Sequence, residues 1–419
     1  LSTVKETIVA SQEAAAKPDM PFARLMGIAM SARLLVDTGI QTFNPFLPII
    51  ANGLGVDIVI MGRLLGVQNL AGMSSPVLGV LAERHSYRRV MQGSLVAGAL
   101  GFLLIGLSVG LWSALSGLLL IGFCVAGLIP TLVAYLSTRL PYARRARGLG
   151  MLEYSWALAG IVGLFVVGQL IELFGWRIPC FGLAAGLLIM AAIFGALPDV
   201  RGEHKPHSSV TTPGQRRVLI PRFFALGAGG RSAYCAILAG SLNFVALMQF
   251  NLAYGAWFSD QYGMGAAQLG TVALVLGCFD LCASVSVSLF TDRLGKRRSV
   301  LLGGLGAMIG FAALPLLNRA LLPAVLGLAV TRGFAEFFIV SNISLLSEQT
   351  PTQRAKLMTL NVACTQLAMT VAGFSGPWLY TAIGITGLAL ASSLALAAAL
   401  VVILFWVREP SNTFQWQNA

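Results

Sequence analysis

Long apolar runs separated by short polar breaks dominate the chain from Phe22 to Val407. Twelve of them are marked by pattern, at 22–53, 58–82, 90–108, 111–138, 148–173, 178–197, 232–258, 267–290, 299–317, 322–346, 357–382 and 386–407. A helix that crosses a bilayer needs about 20 mostly apolar residues, and each run is of that order. Strands of a membrane barrel are about ten residues long and alternate apolar with polar positions. These runs do neither. The expected fold is an all-α membrane protein with twelve transmembrane helices, the first of them unusually long.

The polar exceptions inside the runs are few and patterned. Arg33, Asp37, Gln41, Asn44 and Pro48 follow one another at spacings of three or four, so they form one stripe on the first span. Arg33 lies about 16 Å along a helix that starts near Phe22, taking about 1.5 Å per residue, and Asp37 lies one turn further. The tenth span repeats the arrangement with Arg332 and Glu336. Asn243, Asn251 and Tyr254 mark the seventh span, Asp280 the eighth, and Glu153 stands near the start of the fifth. Spans three, six, nine and twelve carry no Asp, Glu, Lys or Arg in their interiors. Ionisable groups at membrane depth are costly, so they turn toward a cavity or a partner. For the two Arg–carboxylate pairs two readings stand. Each is a static ion pair within its helix, or each holds a carboxylate that takes up a proton when its Arg moves away, since desolvation and a nearby cation act on a carboxyl in opposite directions.

The twelve runs are a six-helix unit written twice. Glu83 and Asp292 lie 209 positions apart, each opening an acidic-Arg-x-x-x-basic segment after a span. Pro141 and Pro351 lie 210 apart, and Phe43-Asn44 and Phe250-Asn251 lie 207 apart. The expected organisation is a tail over 1–21, a first half over 22–197, a linker over 198–231, a second half over 232–407 and a tail over 408–419. The linker is polar and rich in Pro, Ser and basic residues. The two halves are expected to be pseudo-symmetric, and repeats of this kind place a transporter's site near mid-membrane between them.

Composition agrees with the pattern: 57% of residues are hydrophobic and 11% charged, with a mean hydropathy of +0.80. A soluble domain carries roughly 25% charged residues. The net charge of +12 would suit nucleic acid, but its distribution does not. Most Lys and Arg fall in the tails and the even-numbered connections, among them Arg84, Arg88 and Arg89, Arg144, Arg145 and Arg147, and Arg293, Lys296, Arg297 and Arg298. That is the positive-inside bias, which predicts both termini in the cytoplasm, here of a bacterial inner membrane. The first 21 residues are polar and do not resemble a cleavable signal. The six cysteines lie in apolar segments with no disulfide or zinc spacing, and no metal or cofactor is expected. The three histidines (His85, His204, His207) all lie in cytoplasmic connections, so a proton relay in the membrane would rest on carboxylates. No G-x-S-x-G or H-E-x-x-H is present, and enzyme activity is not expected.

The segment 79–91, GVLAERHSYRRVM, resembles the loop signature of the major facilitator superfamily, G-x-L-a-D-r-x-G-r-k-x-x-l. Gly79, Leu81, Ala82, Arg84 and Arg88 match it, Glu83 keeps the carboxylate where Asp is usual, and Ser86 stands where Gly is usual. In the second copy Asp292, Arg293, Gly295, Lys296 and Arg297 match, while Ser288 replaces the leading Gly. The resemblance covers all twelve spans. It implies that spans one, four, seven and ten line a central cavity and that spans three, six, nine and twelve lie outside. It also implies that these loops latch the halves in an outward-open state, through Gly79, Glu83, Arg84 and Arg88 and through Asp292, Arg293, Gly295 and Arg297. The candidate cavity residues are then Arg33, Asp37, Gln41, Asn44, Asn243, Asn251, Tyr254, Asp280, Arg332 and Glu336. Such a chain is expected to be a monomeric secondary transporter that works by alternating access, with a small-molecule substrate, protons as coupling ion and the lipid bilayer as its surroundings. Proton-coupled export of a small amphipathic compound leads. Uptake or exchange of an organic anion held by the two arginines is the alternative, and a transport-inactive sensor is the alternative of another class. Antiporters of the family often carry an Arg in span four and a Gly-Pro pair in span five. Here Phe123 and Gly163-Leu164 stand at those places, and Gly376-Pro377 appears in span eleven.

Overall fold

The structure is a computed structural model that describes residues 21–198, 230–350 and 354–408. Most of the expected linker and both tails lie outside the described residues, as do the side chains of Glu83 and Asp292. Every regular element described is helical.

In the first half, α1 (Phe22–Thr42) and α2 (Leu47–Gly53) make up the first crossing. The single long helix expected there is broken between Thr42 and Leu47, because Pro45 and Pro48 each remove a backbone donor and Pro48 sits at the start of α2. The second crossing is likewise in two pieces, α3 (Ile58–Gly72) and α4 (Ser75–Arg84), with Pro76 opening α4. Then follow α5 (Tyr87–Gly106), α6 (Leu111–Arg139) and a fifth crossing in three parts. These are α7 (Tyr142–Leu158), a π-helical segment (Ala159–Gly163) and α8 (Leu164–Phe174). Such π-turns inside α-helices concentrate at functional sites. The half ends with α9 (Arg177–Gly195).

The second half comprises α10 (Gly230–Tyr262), α11 (Ala266–Leu294), α12 (Lys296–Leu317), α13 (Leu321–Gln349) and α14 (Arg354–Trp406). At about 1.5 Å per residue the 53 residues of α14 would run about 80 Å, more than twice a bilayer core of about 30 Å. The run is in fact two crossings joined at Gly384, whose φ of 71° only glycine adopts readily. Ten helices among the described residues are long and apolar enough to cross a membrane. Dividing the merged run at Gly384 gives an eleventh, while the α1–α2 segment, made polar by its stripe, is not among them.

The two signature loops make the same turn by different chemistry. In the second copy Gly295 alone separates α11 from α12, at φ 86°, a conformation closed to most side chains. In the first copy Ser86 stays extended and its hydroxyl accepts from the Arg89 amide, capping α5. The departure from glycine at Ser86 is thus made good by a cap.

Besides the approach of Gly255 to the Pro45 backbone, the halves meet backbone to backbone along two seams. A Cβ on Gly62 would lie 2.7 Å from the Gly373 carbonyl, and one on Gly373 would lie 2.8 Å from the Gly66 Cα. On the other side of the molecule a Cβ on Gly168 would lie 2.7 Å from the Ala266 carbonyl and 3.0 Å from the Gly270 Cα. The Glu172 carboxylate accepts from the Ala267 amide at 3.3 Å. Both seams lie from mid-depth outward on the face opposite the basic connections, and small residues are what let helices approach this closely in lipid.

Candidate transport site

The stripe of the first span divides in two. Arg33 Nε donates to both Asp37 oxygens, at 3.0 and 2.9 Å, and the pair is shut into the packing of α1 against the fifth and sixth crossings. Asp37 has no exposed surface and Arg33 keeps 7%. The pair was expected to line a cavity; in this conformation it lies behind the cavity wall. One and two turns further, Gln41 and Asn44 do reach the cavity, and the Gln41 amide donates to the Trp156 carbonyl at 3.0 Å. That bond crosses to the fifth span at the turn before the π-segment.

In the second half the i,i+4 spacing of Arg332 and Glu336 suggested a pair within one helix. The structure corrects this. Arg332 on α13 reaches across to Asp280 on α11, with Nη2 at 2.5 Å from one carboxylate oxygen and Nε at 3.4 Å from the other. Its Nη1 donates to the Asn251 side-chain oxygen on α10. A guanidinium fork suits a carboxylate in this way, and the third donor then holds a third helix. Glu336 is half-buried and takes a hydrogen bond from Ser284 instead. Glu153, exposed on α7, is near enough to act electrostatically on both Asp37 and Glu336. Its part was legible only as a carboxylate near a span end.

Between the halves Gln41, Asn44 and Trp156 face Tyr254, Asp280 and Arg332 across a narrow cavity. The free space is about 10 Å³ for the centre of a water-sized sphere, room for about one water. Asn243 does not join them. It is fully buried and donates to the Ala335 carbonyl at 3.3 Å, which ties α10 to α13.

Two of the expected latch residues do other work. Arg88 Nη1 donates to the carbonyls of Gly195 and Leu197 at the end of α9, at 3.3 and 3.1 Å. Arg297 Nη2 donates to Leu404 and Ile403 near the end of α14, at 2.8 and 3.4 Å. Each therefore neutralises the negative end of the last helix of its own half, a contact that moves with the half. In this conformation Arg88 and Arg297 thus bond within their own halves. Arg84 and Arg293 are exposed, Gly79 has open space around it, and Lys296 pairs with Glu348 of α13.

Apolar crossings arranged in this way, with charged pairs held at depth, define an integral membrane transporter. The profile of the Major Facilitator Superfamily matches residues 29–330 and again 236–418, and the chain belongs to that family. The uncharacterized MFS-type transporter YwfA of Bacillus subtilis (strain 168) is 23% identical over 370 residues, covering 86% of this chain and 85% of its own. The multidrug resistance protein MdtG of Rahnella sp. (strain Y9602) is 23% identical over 332 residues, covering 77% of each. Among solved structures, a peptide transporter POT in complex with sulfate superposes with a TM-score of 0.75 at 15% identity, covering 94% of this chain and 97% of that one. The relatives are transporters, and the chain is read as a carrier rather than an enzyme.

Proposed function

We propose that the chain exports a small amphipathic cation in exchange for protons, by alternating access of its two six-helix halves. One observation carries the reading: both deep arginines are already held by carboxylates, Arg33 by Asp37 and Arg332 by Asp280, while among the described residues neither Glu336 nor Glu153 has an arginine in ion-pair contact. The site thus holds carboxylates in excess. An organic anion would have to displace a buried carboxylate to reach either arginine, at a cost of several kcal/mol. A cation pairs with Glu336 or Glu153 without displacing an arginine. The resemblance to a multidrug resistance protein supports the same direction.

In this reading Asp37 and Glu336 carry the exchanged protons, and the basic connections and both termini face the cytoplasm of a bacterial inner membrane. The glycine seams then close the outer face, so the conformation is the inward-facing one. Glu83 and Asp292 form their latch contacts when the halves rock the other way. A single copy holds both halves of the site, in keeping with a monomer.

The test is purified protein in liposomes that enclose a pH-sensitive dye, with an imposed proton gradient. Adding a lipophilic cation should move protons through the protein, and adding a carboxylate or phosphonate of similar size should not. A response confined to anions overturns the proposal in favour of organic-anion exchange. No response to either charge class, with protein that still binds the cation, points to a sensor.

A further inference from the structure

A second cavity, of about 400 Å³, lies away from the transport site, on the flank of the first half. Its volume is within the range of small-molecule sites. It runs from the basic face to mid-depth between α4 and α5, as far as Phe123 of α6. Its walls are apolar, with Leu78, Leu81, Val90 and Ala97 the principal contributors. Leu81 and Phe123 are each 43% exposed, as residues facing lipid tails are. Two local features keep the space open. The break at Met73–Ser74, with Pro76 after it, starts α4 as a separate helix, and Gly93 on α5 offers no side chain where a Cβ would meet nothing within 4 Å. Apart from Ser94, whose hydroxyl is spent on the Val90 carbonyl, the polar groups among the lining residues are at the rim. Arg89 and His85, both exposed, line the cavity at the basic end, beside Arg84.

An apolar slot at lipid depth with a cationic rim at headgroup level has the charge and polarity of one particular kind of molecule. We propose that this groove is a site for a phospholipid of net negative charge, with an acyl chain between α4 and α5 and its phosphate on Arg89 and His85. The guanidinium is the side chain best matched to phosphate oxygens, and basic pockets on this side of a membrane protein take anionic headgroups. A chain in the slot packs against α4, the helix that ends in Glu83 and Arg84, so the site touches the signature loop from the lipid side.

The full chain in nanodiscs is titrated with phosphatidylglycerol and with phosphatidylcholine of identical acyl chains, and bound lipid is counted by native mass spectrometry. Phosphatidylglycerol should bind about fivefold or more tightly than phosphatidylcholine, the contribution of one or two basic residues at the surface. The double variant Arg89→Gln/His85→Gln should bring the two lipids level, and Gly93→Phe, which fills the slot, should weaken both. A second readout needs no loss of a residue's charge: Phe123→Trp adds a fluorophore to the seven native tryptophans. Phosphatidylglycerol brominated on its chains should quench that added emission, and Gly93→Phe should abolish the quenching. Equal binding of the two lipids by the unaltered chain overturns the proposal. So does a preference that survives the double variant, or full displacement of the lipid by inorganic phosphate at equal concentration.

Discussion

The two halves contain the same short pattern, an arginine followed four residues later by a carboxylate, and fold it differently. In the first half Arg33 and Asp37 close on each other within α1, and the pair needs no other helix to exist. In the second half Arg332 leaves its neighbour Glu336 and binds Asp280 and Asn251, so one guanidinium joins α10, α11 and α13. The first pair is a local unit whose partners separate by a change of rotamer. The second is a strut of the half's own packing, and it leaves Glu336 available for exchange. A pattern repeated in sequence therefore need not be a function repeated in space, because a competing carboxylate one helix away can take the arginine.

The largest expected effect tests the local pair. Asp37→Asn keeps a hydrogen-bond acceptor for Arg33 but removes the charge, so proton-coupled flux in liposomes should fall to background while the chain still folds. Full flux in that variant would remove Asp37 from the mechanism. Asp280→Ala should act on the fold instead: it strands a buried guanidinium, and breaking such a pair costs about 3–5 kcal/mol, read as a lowered thermal midpoint in detergent. Glu336 is the nearest substitute, so Asp280→Ala with Glu336→Ala should cost more than the two single changes together. Strict additivity would mean that Arg332 never turns to Glu336.

Where the halves agree, the effects should agree. Arg88→Ala and Arg297→Ala each remove a charged donor from a helix end, and each should cost about 1.5–3 kcal/mol by the same assay. A large inequality would show that one of them does more than clamp. The smallest effects separate the two turns. Gly295→Ala forces a side chain into a backbone region nearly confined to glycine, at about 1–3 kcal/mol. Ser86→Ala loses only a helix cap, worth about 1 kcal/mol.

Much of the architecture was legible in the chain. Apolar runs mark crossings because backbone in lipid must satisfy its own hydrogen bonds, which leaves helices few alternatives. Burial at depth singled out the embedded charges, and two of them, Asp280 and Arg332, do meet Gln41 and Asn44 around one cavity. What periodicity reports, however, is the face of one helix. It placed Arg33, Asp37, Gln41 and Asn44 on one stripe, but could not tell that packing would bury the first two and open the last two to the cavity. It paired Arg332 with the residue nearest in sequence, since Asp280 approaches only after α11 and α13 have packed. Asn243 likewise reads as a cavity residue until α13 supplies the Ala335 carbonyl. The breaks at Pro45 and Pro76 did carry a local signal, the missing backbone donor of proline.

The π-segment Ala159–Gly163 has a consequence for how the fifth span can vary. A π-turn is what remains when an α-helix has accepted one residue more than its winding needs, and each residue of an α-helix turns the chain by about 100°. Deleting any one residue of the segment would let the span wind as a plain α-helix. Glu153 and Trp156 would then swing by about that angle relative to Gly168 and the seam it forms with Gly270. The segment thus acts as a phase-setter, fixing how the half of the span that begins at Tyr142 is turned toward the cavity while the half that ends at Phe174 keeps its grip on the partner half. A single-codon deletion here would keep the composition and hydropathy of the span almost unchanged and still rotate the site's chemistry out of reach.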